Sequence, residues 1–197
     1  MKRLGLDFDN TLVSYDQVFY DLALSKKLIT EEVAPTKVDI RSHLIQKGLE
    51  DDFTSLQGEV YGSQLANMVC SNTVKCALKY AKSQGFQLFI ISHKTKFPYK
   101  GPKYDLHKAA TRWLEGNDFF DEADGLITRS DVYFEPTMEK KVKRIVGVKC
   151  THFIDDLSQV LESIPAYIKR IHFNPLQKKS SDRYCQMTDW KELKDWI

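Results

Sequence analysis

No run of about 18 apolar residues occurs in the 197-residue chain, so none of it is expected to span a membrane. Cysteine is sparse: Cys70, Cys76, Cys150 and Cys185 show no CxxC or zinc-ligand spacing and read as reduced thiols of a cytoplasmic protein. Charge of neither sign dominates. A net charge of +2 with 28% charged residues gives no general basic field, so composition alone does not indicate a nucleic-acid binder. Internal repeats and low-complexity tracts are absent, and KKSSDR at 178–183 is only a polar loop. The N-terminus lacks the pattern of a secretion signal, because a strand begins by Leu4 and acids follow at Asp7 and Asp9; no signal peptide is expected. What is present is 42% hydrophobic residues, enough to bury a real core with room for a modest insertion.

The most informative stretch is LGLDFDNTLV at residues 4–13. Its small and apolar start fits a strand buried on both faces of a parallel sheet. Asp and Asn are poor strand formers that favour turns, so pairing is expected to stop at about Asp7 to Asn10. Asp7 and Asp9 then stand at the carboxyl end of a strand, where open α/β sheets bind ligands. In a tight loop both acids can face one reaction centre, one as nucleophile and the other as proton carrier.

Two further strands end in chemically able residues. FQLFIISHK runs through apolar Phe86–Ile91 to Ser92, either a hydroxyl aimed at a ligand or a polar residue where the strand leaves the core. THFIDDLSQVL ends in Asp155 and Asp156 ahead of an apolar helix. Burying adjacent carboxylates is costly unless a cation compensates them, which reads as one wall of a Mg²⁺ site; Asp156 is also placed to cap the helix. Just upstream, PTMEKKVKRI offers Lys140, Lys141 and Lys143. Val142, Ile145 and Val146 mark the buried stripe, and Lys141, four residues before Ile145, is chosen over Lys140 as the lysine that reaches the strand ends.

In this order the motifs resemble the haloacid dehalogenase-like (HAD) superfamily. Asp7, Phe8, Asp9, Asn10 and Thr11 match its DxDx(T/V) motif, Ser92 the second, Lys141 the third, and Asp155 with Asp156 the fourth. The resemblance covers about residues 1–13 and 77–175. It implies an α/β fold, a Rossmann-like parallel sheet with helices on both faces plus a small helical cap insertion. It further implies that Asp7 attacks phosphorus to form an aspartyl phosphate, while Asp9 protonates the leaving alcohol and later activates water. Mg²⁺ would be held by Asp7, the Asp9 backbone carbonyl and Asp155, with Asp156 holding a bound water; Ser92 and Lys141 would grip phosphoryl oxygens. Asp9 argues against a dehalogenase, whose halide leaving group needs no proton, and membrane pumps carry DKT at this place. The expected activity is a phosphatase acting on a small phosphomonoester such as a sugar phosphate or nucleotide. The alternatives are a phosphomutase, a nucleic-acid end phosphatase and a catalytically silent phosphate-binding module.

The interval between the first two motifs exceeds a single crossover helix. SYDQVFYDLALSKKLI and KVDIRSHLIQKGLE have near-helical apolar spacing, and NTVKCALKYAKSQG reads as the core helix leading to the Ser92 strand. Residues 1–13 and 72–197 are therefore expected to form the core, and 14–71 a helical cap that closes over the site. Within the cap, LQGEVYGSQL sets Gly58 and Gly62 around Tyr61, either to admit a ligand or as an ordinary packed connection. After Ser92 comes HKTKFPYKGPKYDLHKAA, with five lysines and two histidines, which prolines and glycine keep from regular helix until about Asp105. His93 and Lys94 are its candidate substrate contacts; a solvated loop and a single-stranded nucleic-acid surface are the other readings. Farther on, DLHKAATRWLEG predicts a helix, GLIT (125–128) and DVYFE (131–135) short strands, and YIKRIHFN a strand beside that of Asp155. Asp189 and Glu192, spaced as a capping box, predict a closing helix ending at Trp196.

Overall fold

The computed structural model describes residues 1–121, 125–176 and 182–197. The chain divides into two compact units: residues 1–13, 69–94 and 117–197 form the first, and 14–68 with 95–116 the second. Residues 178–181 of the polar KKSSDR stretch lie outside the described residues.

The first unit is built on strands β1 (Lys2–Leu6), β2 (Phe86–His93), β3 (Val132–Glu135), β4 (His152–Asp155), β5 (Lys169–Phe173) and β6 (Cys185–Met187). They form one sheet in the order β3-β2-β1-β4-β5-β6, every neighbouring pair parallel. The strand order reverses at β1, so the ends of β1 and β4 form the switch point at which such sheets bind ligands. The chain steps outward from β1 to β2 through α4 (Asn72–Ser83) and returns from β3 to β4 through α6 (Met138–Gly147). Right-handed crossovers in opposite directions put these helices on opposite faces of the sheet. On the α6 face, Ile145 joins Phe89, Ile91 and Phe153, together with Val160 and Leu161 of α7 (Ser158–Ser163), in a buried cluster. On the other face α4 packs against the closing 3₁₀ turn Trp190–Asp195, whose Trp190 indole donates to the Thr11 carbonyl at 3.3 Å.

Two sequence expectations differ here, and one strand is added. GLIT is not a strand: Leu126 and Ile127 are buried in a loop, with Ile127 N donating to Phe119 O at 3.0 Å, while β3 alone pairs with that side of β2. The sequence does not predict strand β6, since three residues carry too little alternation to register. The closing segment is a 3₁₀ turn, started by Asp189 accepting from Lys191 N, while Glu192 binds Thr188 instead of its own cap residue.

The second unit contains α1 (Asp16–Ser25), α2 (Lys37–Gln46), α3 (Glu50–Glu59) and α5 (Leu106–Gly116), with a π turn at Val60–Gln64 and a 3₁₀ turn at Leu65–Asn67. Thr36 caps α2 by accepting from Asp39 N. Residues 95–116, expected with the core, pack with these helices. The two glycines explain why: a Cβ on Gly58 would come to 2.8 Å from Pro98, and one on Gly62 to 2.5 Å from the Tyr104 ring. They admit the basic loop to α3 and the π turn. Tyr61 is a packed side chain, its ring 4.7 Å from Tyr15 and its hydroxyl accepting from Lys37 Nζ at 2.7 Å. The loop stays irregular until Asp105, which caps α5 through Lys108 N. Among the described residues no helix is long and apolar enough to cross a membrane, and all four cysteines are unpaired.

Candidate active site

The end of β1 is shaped by one backbone turn. Asp7 N still donates to Ile154 O at 2.9 Å, after which Asn10 takes a left-handed conformation (φ 56°) and the amides of Leu12 and Val13 both fold back to Phe8 O. Asn tolerates that conformation better than most residues do. Asp7 is buried, and Asp9 follows it on the turn.

Lys141 ties the acids together. Thr137 caps α6 by accepting from Lys140 N, so the helix begins with Lys140 turned to solvent and Lys141 one residue later on the buried side. The Lys141 Nζ lies 2.6 Å from Asp7 Oδ1 and 2.6 Å from Asp155 Oδ2, and the side chain is 1% exposed. Burial alone would lower its proton affinity, but the Asp7 and Asp155 carboxylates outweigh burial and hold the ammonium above its ordinary range. Asp155 is likewise fully buried, its other oxygen accepting from Leu157 N at 2.9 Å. Burial pushes its carboxyl up to about 7; the Lys141 charge works against that rise and the Asp7 charge with it. Two carboxylates around one ammonium leave a net negative charge in a dry place.

Asp156 completes the group: Asp7, Asp155 and Asp156 each offer an oxygen within 4.8 Å of the others. An all-carboxylate, oxygen-only donor set suits a hard divalent cation such as Mg²⁺. The N-cap position of α7 falls on Leu157, which makes no side-chain capping bond. The Asp156 carbonyl accepts from His172 Nε2 of β5 at 3.0 Å, a support that sequence reasoning missed; the pairing of Asp155 with His172 in register is the signal that locates it.

At the end of β2, the Ser92 hydroxyl is buried and has no hydrogen-bond partner among the described residues, and the same holds for Thr11 Oγ1. A buried hydroxyl without a partner is uncommon, and at Ser92 it fits a donor awaiting a ligand oxygen. His93 is exposed, its Nε2 3.2 Å from Pro136 O. Lys94 turns inward to Asp9, with Nζ at 2.9 and 2.8 Å from the two carboxylate oxygens. Asp7, Lys141, Asp155 and Asp156 are thus brought together and Asp9 is paired with Lys94, whereas His93 belongs to neither group.

No family model matches the sequence, and neither does any curated protein. Solved structures do match along the whole chain. A protein described as a predicted phosphoglycolate phosphatase, from Haemophilus somnus, aligns with a TM-score of 0.61 at 16% identity, covering 99% of this chain and 97% of the other. A protein described as a putative HAD-hydrolase, from Bacillus subtilis and solved with bound magnesium, aligns at 0.56 and 14% identity over 99% and 97%. An L-2-haloacid dehalogenase aligns at 0.55 and 10% identity over 100% and 98%. The chain has the HAD-like fold. Within that fold, the six-stranded parallel sheet carries the acids on the two central strands, β1 and β4, and Ser92 on β2 beside them.

Proposed function

We propose that the protein is a Mg²⁺-dependent phosphohydrolase that acts on a small phosphomonoester through an aspartyl phosphate on Asp7. The observation that carries this reading is the division of the acids into two settings: Asp7 in the cluster with Lys141 and Asp155, and Asp9 outside it on Lys94. A nucleophile and a proton carrier need such separate environments. Dehalogenases share the fold but have no use for the second acid, so Asp9 favours phosphoryl transfer. Unpaired cysteines support a reducing, cytoplasmic location.

Phosphate monoesters resist hydrolysis because their anionic oxygens repel a nucleophile, so catalysis is positioning and charge neutralisation. Asp7, Asp155 and Asp156, with the Asp9 backbone carbonyl, would hold the ion, which would supply positive charge to the phosphoryl oxygens. Lys141 holds Asp7 Oδ1, which leaves Oδ2 to attack phosphorus. As that bond forms, the bond from phosphorus to the leaving oxygen breaks and Asp9, entering this step as the carboxylic acid, gives that oxygen its proton. Ser92 Oγ donates to a phosphoryl oxygen, acquiring the partner it lacks. Asp9, now a carboxylate, takes a proton from the water that attacks the aspartyl phosphate; phosphate leaves and Asp7 is restored.

The test is phosphate release from a panel of sugar phosphates, nucleotides and other small monoesters, with Mg²⁺ and with EDTA. Release that requires Mg²⁺ is expected, and no release from any of them would overturn the reading.

A pH dependence follows from Asp155. Its carboxyl rises from 3.8 in the unfolded chain to about 7 in the folded one, so between these values the folded state binds the extra proton. The metal-free fold therefore loses stability as pH climbs from about 4 through 7, with no further change from this group above that. A cation competes with the proton, so the rise in Tm on adding Mg²⁺ should be larger at about pH 8 than at about pH 6. Thermal scans at both values measure this, and equal rises would contradict the assignment of Asp155 as a ligand.

A further inference from the structure

Four carboxylates stand at the ends of β1 and β4, but only three of them converge. The oxygens of Asp7, Asp155 and Asp156 lie within 4.8 Å of one another, and Asp9 is not in the group. Both of its oxygens are instead held by one ammonium, that of Lys94, at 2.9 and 2.8 Å. Lys94 is anchored in its turn. It is 3% exposed, its backbone N donates to Glu135 O at 2.9 Å, and its Nζ stands 5.4 Å from the centre of the Phe8 ring. A lysine packed in this way is held at Asp9, which gives it a role beyond the substrate contact expected from the sequence.

A divalent cation attracts every carboxylate in reach, and Asp9 lies two residues from Asp7. Keeping its side chain out of the metal group takes a competing positive charge, and binding through both oxygens fixes the plane of the carboxylate as well as its position. We infer that Lys94 is the positioning residue that withholds the Asp9 carboxylate from the acid cluster and so keeps it available to carry protons, an inference that rests on the phosphohydrolase reading above. The sequence signal is short: a lysine two residues after the Ser of the second strand, on the neighbour of the strand bearing the nucleophile.

The test compares wild type with Lys94→Met and Lys94→Arg. An alkyl phosphate needs a proton on its leaving oxygen, whereas p-nitrophenyl phosphate hardly does, and kcat/KM reports the step in which that oxygen departs. For Lys94→Met, kcat/KM should fall about a hundredfold on alkyl esters but less than about tenfold on p-nitrophenyl phosphate, with Lys94→Arg recovering most of the alkyl activity. Equal losses on both substrates would mark a merely structural role and overturn the inference. A second arm needs no turnover: calorimetric titration with Mg²⁺ should give binding about tenfold tighter in Lys94→Met, because Asp9 is freed to join the cluster, and the gain should disappear in Lys94→Met/Asp9→Asn. Unchanged affinity in Lys94→Met would overturn the inference. Absence of turnover in the wild type would contradict the phosphohydrolase reading, and the titration would still decide whether Lys94 restrains Asp9.

Discussion

Asp7→Asn should lower phosphate release at least a thousandfold, an order-of-magnitude figure for removing a nucleophile, while the protein stays folded. An amide oxygen is a poor nucleophile and cannot form the mixed anhydride. It can still ligate a cation, so much of the metal affinity should survive. The fold should survive too, because the substitution removes one of the two carboxylates crowding Lys141 and leaves the Asp155 pair at 2.6 Å intact. With the like charge of Asp7 gone, the Asp155 carboxyl should titrate lower than in the wild type, since that charge is one of the causes raising it. Activity and a thermal scan on the same preparation check both halves. Retention of more than a few per cent of activity by a folded variant would refute Asp7 as nucleophile, by a margin far outside the expected thousandfold loss.

Lys141→Met has the largest expected effect on stability. Removing one member of a buried ionic group strands the others, at about 3–5 kcal/mol. Here two carboxylates, Asp7 and Asp155, would be left facing each other without their shared ammonium. In EDTA the loss should grow with pH. Without Lys141 the folded-state pKa of Asp155 rises further, so acid supplies the neutralising proton and alkali withdraws it. Mg²⁺ should restore part of the stability by replacing the lost positive charge. Lys140→Ala is the control: the side chain is exposed and its loss should change stability by less than about 0.5 kcal/mol. Urea unfolding of both variants at two pH values, with and without Mg²⁺, measures all of this. A Lys140 effect as large as that of Lys141 would contradict the geometry.

Much of this site is legible in the sequence, because strand ends are written in local chemistry. An apolar run that meets Asp, Ser or Asp-Asp marks both the end of a strand and the group it carries, and β1, β2 and β4 were readable on those terms. Lys141 was readable from helical periodicity, since α6 has a sharp buried stripe and only one of the neighbouring lysines borders it. Other features depend on contacts distant in sequence. Lys94 reads in the sequence as a candidate substrate contact at the start of a basic loop, and only the pairing of β2 beside β1 reveals that it meets Asp9. His172 supports the Asp156 carbonyl from a different strand. The allegiance of residues 95–116 depends on Gly58 and Gly62 making room for Pro98 and Tyr104, and in the sequence those glycines read equally well as space for a ligand. GLIT has the residues of a strand but lies in the loop ahead of β3, and it is β3 that takes the place beside β2.

If Asp7 itself takes the phosphoryl group, that group can be trapped on it. Wild-type protein should be mixed with a substrate identified in the phosphate-release panel, quenched in acid within the first turnovers, digested and analysed by mass spectrometry. A phosphoryl group is expected on the peptide bearing Asp7, dependent on Mg²⁺ and missing in Asp7→Asn. Turnover with no phosphorylated peptide at any quench time, or with the phosphoryl group on a different residue, would contradict it.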